Sequence, residues 1–229
     1  MKQYETPIIV SLARAGTPIG ILIKRYIKFK YFIDVPHYSI SIIREKGIDT
    51  NALDFIINKH NSDKLVFVDG WTGKGSITEE LEKSISNYNK THETNISSNL
   101  IVLADPAYKS LYSGTKKDIC IPNACLNSTV SGLVSRTIQN SNYINETDFH
   151  GAKVFHYLKN QDLSNYFLDE ITNEFSDEDK NLIWYKNVDY VPSVLNNIMQ
   201  KYNISDKNKI KLSIGETSRA LIRRCPRLI

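Results

Sequence analysis

Residues 65–77 read LVFVDGWTGKGSI, and this segment predicts the architecture of the chain around it. The apolar run at residues 65–68 is typical of a strand that is buried on both faces of a sheet. Glycines follow in a turn, and Ser76 opens a helix with acids in its first turn. Gly73 and Gly75 let backbone N–H groups approach an anion closely, and the helix adds its unpaired amides at the same place. The segment therefore predicts a phosphate-binding βα turn.

Two familiar phosphate-binding patterns do not fit this turn. A Walker loop, G-x-x-x-x-G-K-[ST], needs Ser or Thr after its lysine, whereas Gly75 follows Lys74 and Gly70 lies only three residues before Gly73. The dinucleotide pattern G-x-G-x-x-G begins at Gly73 but is not completed. An ordinary βα turn, whose glycines permit tight packing, is therefore the alternative to a binding site.

Predicted strands and helices alternate on both sides of this segment. A βα series of this kind forms a mainly parallel sheet with right-handed crossovers, and its ligands collect beyond the carboxyl ends of the strands. The strands are predicted at residues 7–12, 35–43, 65–68, 100–104 and 119–121, and the helices at residues 17–28, 51–60 and 76–89. We therefore predict an α/β fold with a Rossmann-like, mainly parallel sheet.

The second half of the chain has a different character. An acidic stretch covers residues 169–179, strand patterns are few, and residues 203–211 are polar and predicted as loop. Helices are predicted at residues 163–172, 176–186 and 192–202. We predict two parts, an α/β core at residues 1–125 and a helical hood at residues 126–229 that ends in a C-terminal helix.

The composition is that of a globular protein. Of 229 residues, 41% are hydrophobic and 24% are charged, which is near the average of soluble domains. No apolar run reaches the length of a membrane-spanning helix, and the N-terminus lacks the apolar region of a signal peptide, so a cytoplasmic location is predicted. The net charge of +4 is small, and Lys and Arg are spread among Asp and Glu, so neither nucleic acid nor membrane is a predicted partner.

A second glycine turn follows the first predicted strand. Residues 11–20 read SLARAGTPIG, which repeats the order of strand, glycine turn and helix and adds the cation of Arg14. A helix entry with a surface arginine is the alternative. Two such turns on adjacent strands predict a substrate that carries phosphate at both ends.

These motifs resemble those of the type I phosphoribosyltransferases. In that superfamily a strand, an acid and a Thr-Gly-rich loop hold the ribose and 5-phosphate of phosphoribosyl pyrophosphate, and an early Arg-x-Gly turn holds the pyrophosphate. A closer resemblance is to a phosphoribosyltransferase-like family found with bacterial tellurium-resistance and stress gene clusters, which is also named the cysteine protease StiP family. The resembling segments are residues 10–20, 37–44, 67–75, 121–122, 126–137, 148–151 and 215–224.

The resemblance implies transfer of a phosphoribosyl group to an unidentified nitrogenous acceptor in a stress-linked pathway, with a homodimer as a candidate assembly. The implied catalytic residues are Asp69, as the ribose ligand, Arg14 and Arg44. The 5-phosphate would lie against Thr72, Gly73, Lys74, Gly75 and Ser76, and the pyrophosphate against Arg14, Ala15, Gly16 and Lys46. Mg²⁺ would bridge ligand oxygens, so no metal site built from protein side chains is expected.

The chain departs from the pattern of that family in two ways. Gly70 stands where many phosphoribosyltransferases carry a second acid, which leaves a non-catalytic nucleotide sensor open as another function. Members of the family also begin with a helical region, whereas the first predicted strand of this chain begins at residue 7.

A third hypothesis is a cysteine protease or hydrolase. The three cysteines have neither an even count nor metal-ligand spacing, which is typical of reduced thiols. Cys125 lies just before a predicted helix start, where the helix dipole favours a thiolate. The base would be His37, His150 or His156, and a buried, unreactive thiol is the alternative.

Other positions carry weaker predictions. Asp105 ends a predicted strand before Pro106, and it either contacts the acceptor or forms the turn. Residues 131–136 are predicted to begin a helix, from which Arg136 would reach a phosphate or carboxylate or pair with acids of the hood. A charge network within one helix is predicted for Glu216, Arg219, Arg223 and Arg224.

Overall fold

A six-stranded sheet lies at the centre of the computed structural model, which describes residues 6–122, 126–178 and 190–223. Its strands are β1 (Ile8–Ala13), β2 (His37–Ile43), β3 (Gly47–Ile48), β4 (Leu65–Trp71), β5 (Leu100–Ala104) and β6 (Tyr112–Thr115). They lie in the order β3–β2–β1–β4–β5–β6, and every neighbouring pair is parallel except β2 and β3. The prediction of an α/β fold with a mostly parallel sheet is confirmed.

Helices cover both faces of this sheet, and a hairpin lies in the second half of the chain. The helices are α1 (Gly16–Tyr31), α2 (Thr50–Ile57), α3 (Ser76–His92), α4 (Asn127–Val130), α5 (Ser164–Asn173), α6 (Tyr190–Lys201) and α7 (Ile214–Arg223). Short 3₁₀ helices lie at Ser62–Lys64, His156–Gln161 and Lys207–Lys209. The hairpin pairs β7 (Val134–Ile138) with β8 (Gly151–Val154). Within the described residues, no helix combines the length and the apolar character that a membrane crossing requires.

Strand β4 is buried on both faces, because its side chains alternate between two apolar clusters. Phe67 is fully buried with side chains of α2 and α3, whereas Val68 is fully buried on the other face with Ile19 of α1. A strand covered by helices on both sides needs apolar side chains at consecutive positions, which residues 65–68 supply. Burial of each such side chain contributes roughly 1.5–3 kcal/mol to folding. The prediction for this strand is confirmed.

The edge strand β6 differs from the prediction, which places the last strand at residues 119–121. No strand forms at those residues. Gly114 of β6 packs so closely on β5 that an added Cβ would lie 2.9 Å from the carbonyl oxygen of Leu103. This strand therefore depends on close approach of two backbones rather than on apolar side chains, so its sequence shows no strand pattern.

The second half of the chain combines helices with the hairpin. The helix predicted to begin at residues 131–136 does not form, because Gly132 (φ 87°) and Leu133 (φ 58°) take left-handed conformations that end α4 before β7 starts. The helices predicted at residues 163–172 and 192–202 are confirmed as α5 and α6. The helix predicted at residues 176–186 lies mostly outside the described residues.

Candidate functional site

The two glycine turns lie side by side at the carboxyl edge of the sheet. β1 and β4 are adjacent and parallel, with Ser11 in register with Val68. Gly16, which begins α1, packs on β4 so tightly that an added Cβ would lie 2.4 Å from the Val68 carbonyl oxygen. A larger residue would push the two turns apart, so close backbone approach requires glycine here. The prediction that the turns are neighbours is confirmed.

The turn that follows β4, at residues 72–75, is covered by the C-terminal helix α7. The buried Lys74 ammonium donates to Glu216 Oε1 at 2.7 Å and to the Ile210 carbonyl oxygen at 3.1 Å. The Glu216 carboxyl group also lies 3.1 Å from the place that a Cβ on Gly73 would take. Glu216 therefore pairs with Lys74, outside its own helix, and the predicted charge network within that helix stays a prediction. The side chains of the arginines in that network lie outside the described residues.

Thr72, which is also predicted to bind phosphate, directs its hydroxyl group to a buried carboxylate. It donates to Asp105, which is fully buried after the end of β5. Asp105 also accepts from the backbone N–H groups of Lys109 at 2.9 Å and Ser110 at 3.0 Å, and from the buried ammonium of Lys116. This carboxylate therefore organises the loop between β5 and β6, as in the turn-forming alternative.

Arg14 links the turn that follows β1 to the second half of the chain. Its Nη1 donates to Ser128 Oγ at 2.8 Å and to the Val134 carbonyl oxygen at 2.5 Å. These hydrogen bonds hold α4 and the start of β7 at the carboxyl edge of β1. The guanidinium predicted to bind pyrophosphate thus also joins two parts of the protein.

The two cations that follow β2 are separated in the structure. Arg44 lines the same cleft as Asp69 and donates to Asn208 Oδ1 at 3.0 Å. Lys46 lies along a different groove, beside Glu80 of α3. Of the two, only Arg44 is brought to the predicted site.

Asp69 lies at the carboxyl end of β4, between the two turns. Its Oδ1 accepts a hydrogen bond from the Gly70 N–H at 2.7 Å. Burial raises the pKa of Asp69 to about 7, although that hydrogen bond favours the charged form. A carboxyl group with this pKa exchanges its proton near neutral pH, as a general acid or base must.

A cleft of about 890 Å³ extends from the turn that follows β1 along the carboxyl end of β2. His150 lies on the wall that β7 and the start of β8 form, and this residue is partly buried. The His150 Nδ1 atom is 3.0 Å from Ser41 Oγ, which in turn lies 2.6 Å from Thr137 Oγ1. The backbone N–H of His150 donates to Asp49 Oδ2 at 2.6 Å. The ring is therefore fixed both through its side chain and through its main chain.

Asp49 is buried, and its carboxylate accepts hydrogen bonds from two separate segments of the chain. Its Oδ1 accepts from a backbone N–H in the first turn of α2, at 3.0 Å, and its Oδ2 holds His150. Asn51 of α2 donates to the carbonyl oxygens of Glu146 and Asp148, at 2.7 and 2.8 Å. The N-terminus of α2 thus anchors the loop that leads into β8, and with it the position of His150.

The other two candidate histidines do not line this cleft. His37 Nε2 lies 2.9 Å from Ser11 Oγ and would be 2.7 Å from a Cβ on Gly20, so the ring packs between β1 and α1. Burial lowers the pKa of His37, and the charge of Lys24 adds to the effect. His156 is exposed on a 3₁₀ helix. Of the three, only His150 combines access to the cleft with a ring held by a hydrogen bond.

Two family models match separate segments of the chain. One, described as tellurite-like stress resistance cysteine protease StiP, matches residues 1–172. The chain belongs to the StiP family. A curated relative from Acinetobacter baylyi, named cysteine protease StiP, is 36% identical over 244 residues, which cover 99% of this chain and 63% of the relative. The other model, a PELOTA RNA binding domain, matches residues 191–229.

Membership of the StiP family is predicted correctly, but it corrects the predicted function. The family description and the name of the relative are those of a cysteine protease, so the predicted phosphoribosyltransferase is wrong, as are its partners phosphoribosyl pyrophosphate and a nitrogenous acceptor. The structure gives a physical reason for the error. The glycine turn has the backbone expected of an anion site, but the ammonium of Lys74 and the hydroxyl of Thr72 are paired within the protein.

The remaining ligand assignments stay predictions. They concern the backbone of Gly73 and Gly75 and the hydroxyl of Ser76 for the 5-phosphate, and Ala15 and Gly16 for the pyrophosphate. Among the residues that the structure describes, no cluster of three or more His, Cys, Asp or Glu side chains could hold a metal ion. The expected Mg²⁺ depends on ligand oxygens instead, so it also stays a prediction.

The StiP family is described as a cysteine protease, and a cysteine protease uses a reactive cysteine. Among the described residues the chain has Cys120, which is exposed, whereas Cys125, the predicted nucleophile, lies outside them. The segment that follows Cys125 is described, and there Ser128 contacts Arg14. Arg14 lines the same cleft as His150. The segment after Cys125 therefore contacts one residue, Arg14, that lines the cleft of the candidate base.

The groups that hold His150 are absent from the sequence-based site. Asp49 could have been found, because an aspartate directly before the first residue of a helix is a typical N-cap. Ser41 and Thr137 give no comparable signal, since hydroxyl residues alternate with apolar ones in many half-buried strands.

Proposed function

We propose that this chain is a cysteine-dependent peptide hydrolase in which Cys125 is the nucleophile and His150 is the base. The observation that carries the proposal is the position of His150 in a cleft that Arg14 also lines. Arg14 contacts the segment after Cys125, and the chain belongs to the StiP family. A protease acts on protein substrates, and this replaces the phosphorylated sugar as the proposed ligand class. The chain spans 63% of the length of its curated relative, so the activity of the relative is carried over here as a proposal.

In the proposed reaction, His150 transfers two protons in turn, the first from the thiol to the leaving amine and the second from water to the sulfur. Its Nε2 takes the thiol proton of Cys125, and the sulfur attacks the carbonyl carbon of a peptide bond. The imidazolium then gives this proton to the leaving amine, and the acyl group stays on the sulfur. A water molecule, deprotonated by the same nitrogen, hydrolyses the thioester and restores the thiol. Because Nδ1 contacts Ser41, the proposal assigns these steps to Nε2.

The cleft offers a peptide both apolar and charged surfaces. Trp71 of β4 and Phe149, which precedes His150, supply aromatic surface on its lining. Arg136 of β7 is exposed on the same wall and supplies a positive charge. A mixed lining of this kind is typical of sites that bind a ligand through apolar contacts and a few orienting polar groups.

Alkylation of thiols tests the proposal. We expect iodoacetamide, added at a molar ratio near one, to modify Cys125 first and to abolish hydrolysis of an unfolded protein such as casein, because the thiolate is the reacting species. Peptide mass spectrometry would locate the label, and the exposed Cys120 is the internal comparison. Hydrolysis that continues after complete modification of Cys125 would overturn the proposal.

RNA binding by residues 191–229 is a second candidate function, which the match to the PELOTA RNA binding model favours. This segment holds eight Lys and Arg residues against two Asp and Glu residues, although the whole chain carries only +4. Lys207 and Lys209 are exposed on a 3₁₀ helix within it. The prediction of no nucleic-acid partner depends on the charge of the whole chain. That charge does not reveal the local excess of Lys and Arg in residues 191–229.

Salt dependence tests the RNA-binding candidate. We expect a labelled single-stranded RNA to bind with a Kd that rises steeply with salt, because contacts to phosphates release counterions. Substitution of Lys207 and Lys209 by Gln should lower the log–log salt slope by about one per lost phosphate contact. The matched control replaces the exposed Lys83 and Lys90 of α3. Fluorescence anisotropy that shows the same loss in both double variants would contradict a local site.

A further inference from the structure

We propose that Ser41 is a positioning residue for His150, and that it holds the ring in the tautomer whose proton is on Nδ1. The inference rests on the proposed hydrolase, because it explains how His150 could serve as the base. It concerns a residue on β2, far in sequence from both Cys125 and His150.

The hydroxyl of Ser41 has two partners but only one proton. Its Oγ lies 3.0 Å from His150 Nδ1 and 2.6 Å from Thr137 Oγ1. If Ser41 donates its proton to Thr137, its lone pairs accept a hydrogen bond from Nδ1–H. If it donates to Nδ1 instead, the ring must carry its proton on Nε2. The two arrangements give His150 opposite properties in the cleft.

The charge next to His150 favours the first arrangement. Asp49 is 3% exposed, and its Oδ2 lies 2.6 Å from the backbone nitrogen of His150. Nδ1 is the ring nitrogen closer to that backbone, whereas Nε2 lies across the ring. A negative charge that is little screened by water stabilises a proton on the nearer nitrogen. Asp49 therefore favours the Nδ1–H tautomer, and Ser41 can accept the hydrogen bond of this tautomer while it donates to Thr137.

This tautomer is the one that the proposed reaction needs. With the proton on Nδ1, the lone pair of Nε2 can accept the thiol proton of Cys125. With the proton on Nε2, the ring would present a donor where an acceptor is required. The tautomer of the base is set by the hydrogen bond that its other nitrogen makes, so loss of this bond reduces the active fraction of the enzyme.

A purely structural role for Ser41 is the competing explanation, because its hydroxyl also joins β2 to β7 through Thr137. Two variants separate the explanations. Ser41→Ala removes the hydroxyl, and Ser41→Thr keeps it. Ser84→Ala is the control, since the Ser84 hydroxyl also contacts the sheet, at 3.3 Å from the Ile48 backbone nitrogen, and Ser84 does not line the cleft.

The experiment compares the full chain and these variants in two ways. Long-range ¹H–¹⁵N NMR of histidine side chains, at a pH where the ring is neutral, reports the tautomer of His150. Steady-state kinetics on a peptide substrate report kcat and KM. We expect Ser41→Ala to move His150 toward the Nε2–H tautomer and to lower kcat by about 10- to 100-fold with little change in KM. Ser41→Thr and Ser84→Ala should resemble the wild type in both measurements.

The two measurements also separate this proposal from the one it rests on. A wild-type ring protonated on Nε2, or a tautomer that stays unchanged in Ser41→Ala, would overturn the positioning role. A wild-type chain that hydrolyses no peptide, but whose tautomer shifts as expected in Ser41→Ala, would overturn the hydrolase and support the positioning of the ring by Ser41.

Discussion

Cys125→Ala is expected to abolish peptide hydrolysis, with kcat lower by at least about 1,000-fold, because the sulfur forms the bond to the acyl group. Alanine keeps a small apolar side chain at this position, so the change is directed at the chemistry. The measurement is the initial rate of cleavage of a fluorogenic peptide, with circular dichroism to verify the fold. Cys120→Ala is the matched control, because it removes the exposed thiol five residues earlier and should leave the rate unchanged.

His150→Gln completes this test, because it removes the base and keeps the main-chain contact with Asp49. We expect a loss of about 100- to 10,000-fold in kcat. The double variant of His150→Gln and Cys125→Ala should have the same kcat as Cys125→Ala alone, since nucleophile and base act as one unit. If Cys120→Ala is inactive while Cys125→Ala retains its rate, the nucleophile is Cys120 and the assignment made here is wrong.

Lys116→Met is expected to lower the free energy of unfolding by about 3–5 kcal/mol, because it leaves a buried carboxylate without its counter-ion. The side chain of Lys116 is 4% exposed and that of Asp105 is fully buried, so water cannot replace the missing charge. Thr72 and two backbone N–H groups would still donate to Asp105, but they do not neutralise it. Urea unfolding, followed by tryptophan fluorescence, measures the loss.

A neighbouring lysine provides the control for this prediction. Lys117 is exposed, so Lys117→Met should change the free energy of unfolding by less than about 0.5 kcal/mol. The double variant that combines Asp105→Asn with Lys116→Met has no unpaired charge. We expect its loss in free energy of unfolding to be about 1–3 kcal/mol smaller than the sum of the losses of the two single variants. A Lys116→Met variant as stable as the Lys117→Met variant would show that the buried pair contributes little.

The sheet could be predicted where the sequence pattern reflects burial. The apolar run at residues 65–68 specifies a central strand because helices cover both of its faces, and the glycines beside it mark the turns at the carboxyl edge. β6 could not be predicted in this way, because Gly114 defines it by close contact with β5. The hairpin of β7 and β8 could not be predicted either, since its strands are short, none of their residues is buried, and a long loop joins them.

The candidate site was less predictable, because its contacts join distant parts of the chain. Gly73 and Arg14 could be predicted from local sequence motifs, and the structure brings both to one edge of the sheet. The contact of Ser41 with His150 spans 109 residues, and no local pattern indicates it. The polarity of the cleft also depends on such contacts, since a motif shows which charges are present but not which are already neutralised.

The ion pair of Lys74 with Glu216 limits how this protein can be divided for study. Residues 191–229 match a domain model of their own, so expressing them separately is an obvious experiment. A cut before that segment would remove the carboxylate from a buried ammonium, and the remaining fragment would have to admit water or release a proton there. The two pieces are therefore coupled thermodynamically, and measurements on either fragment alone would describe an altered molecule.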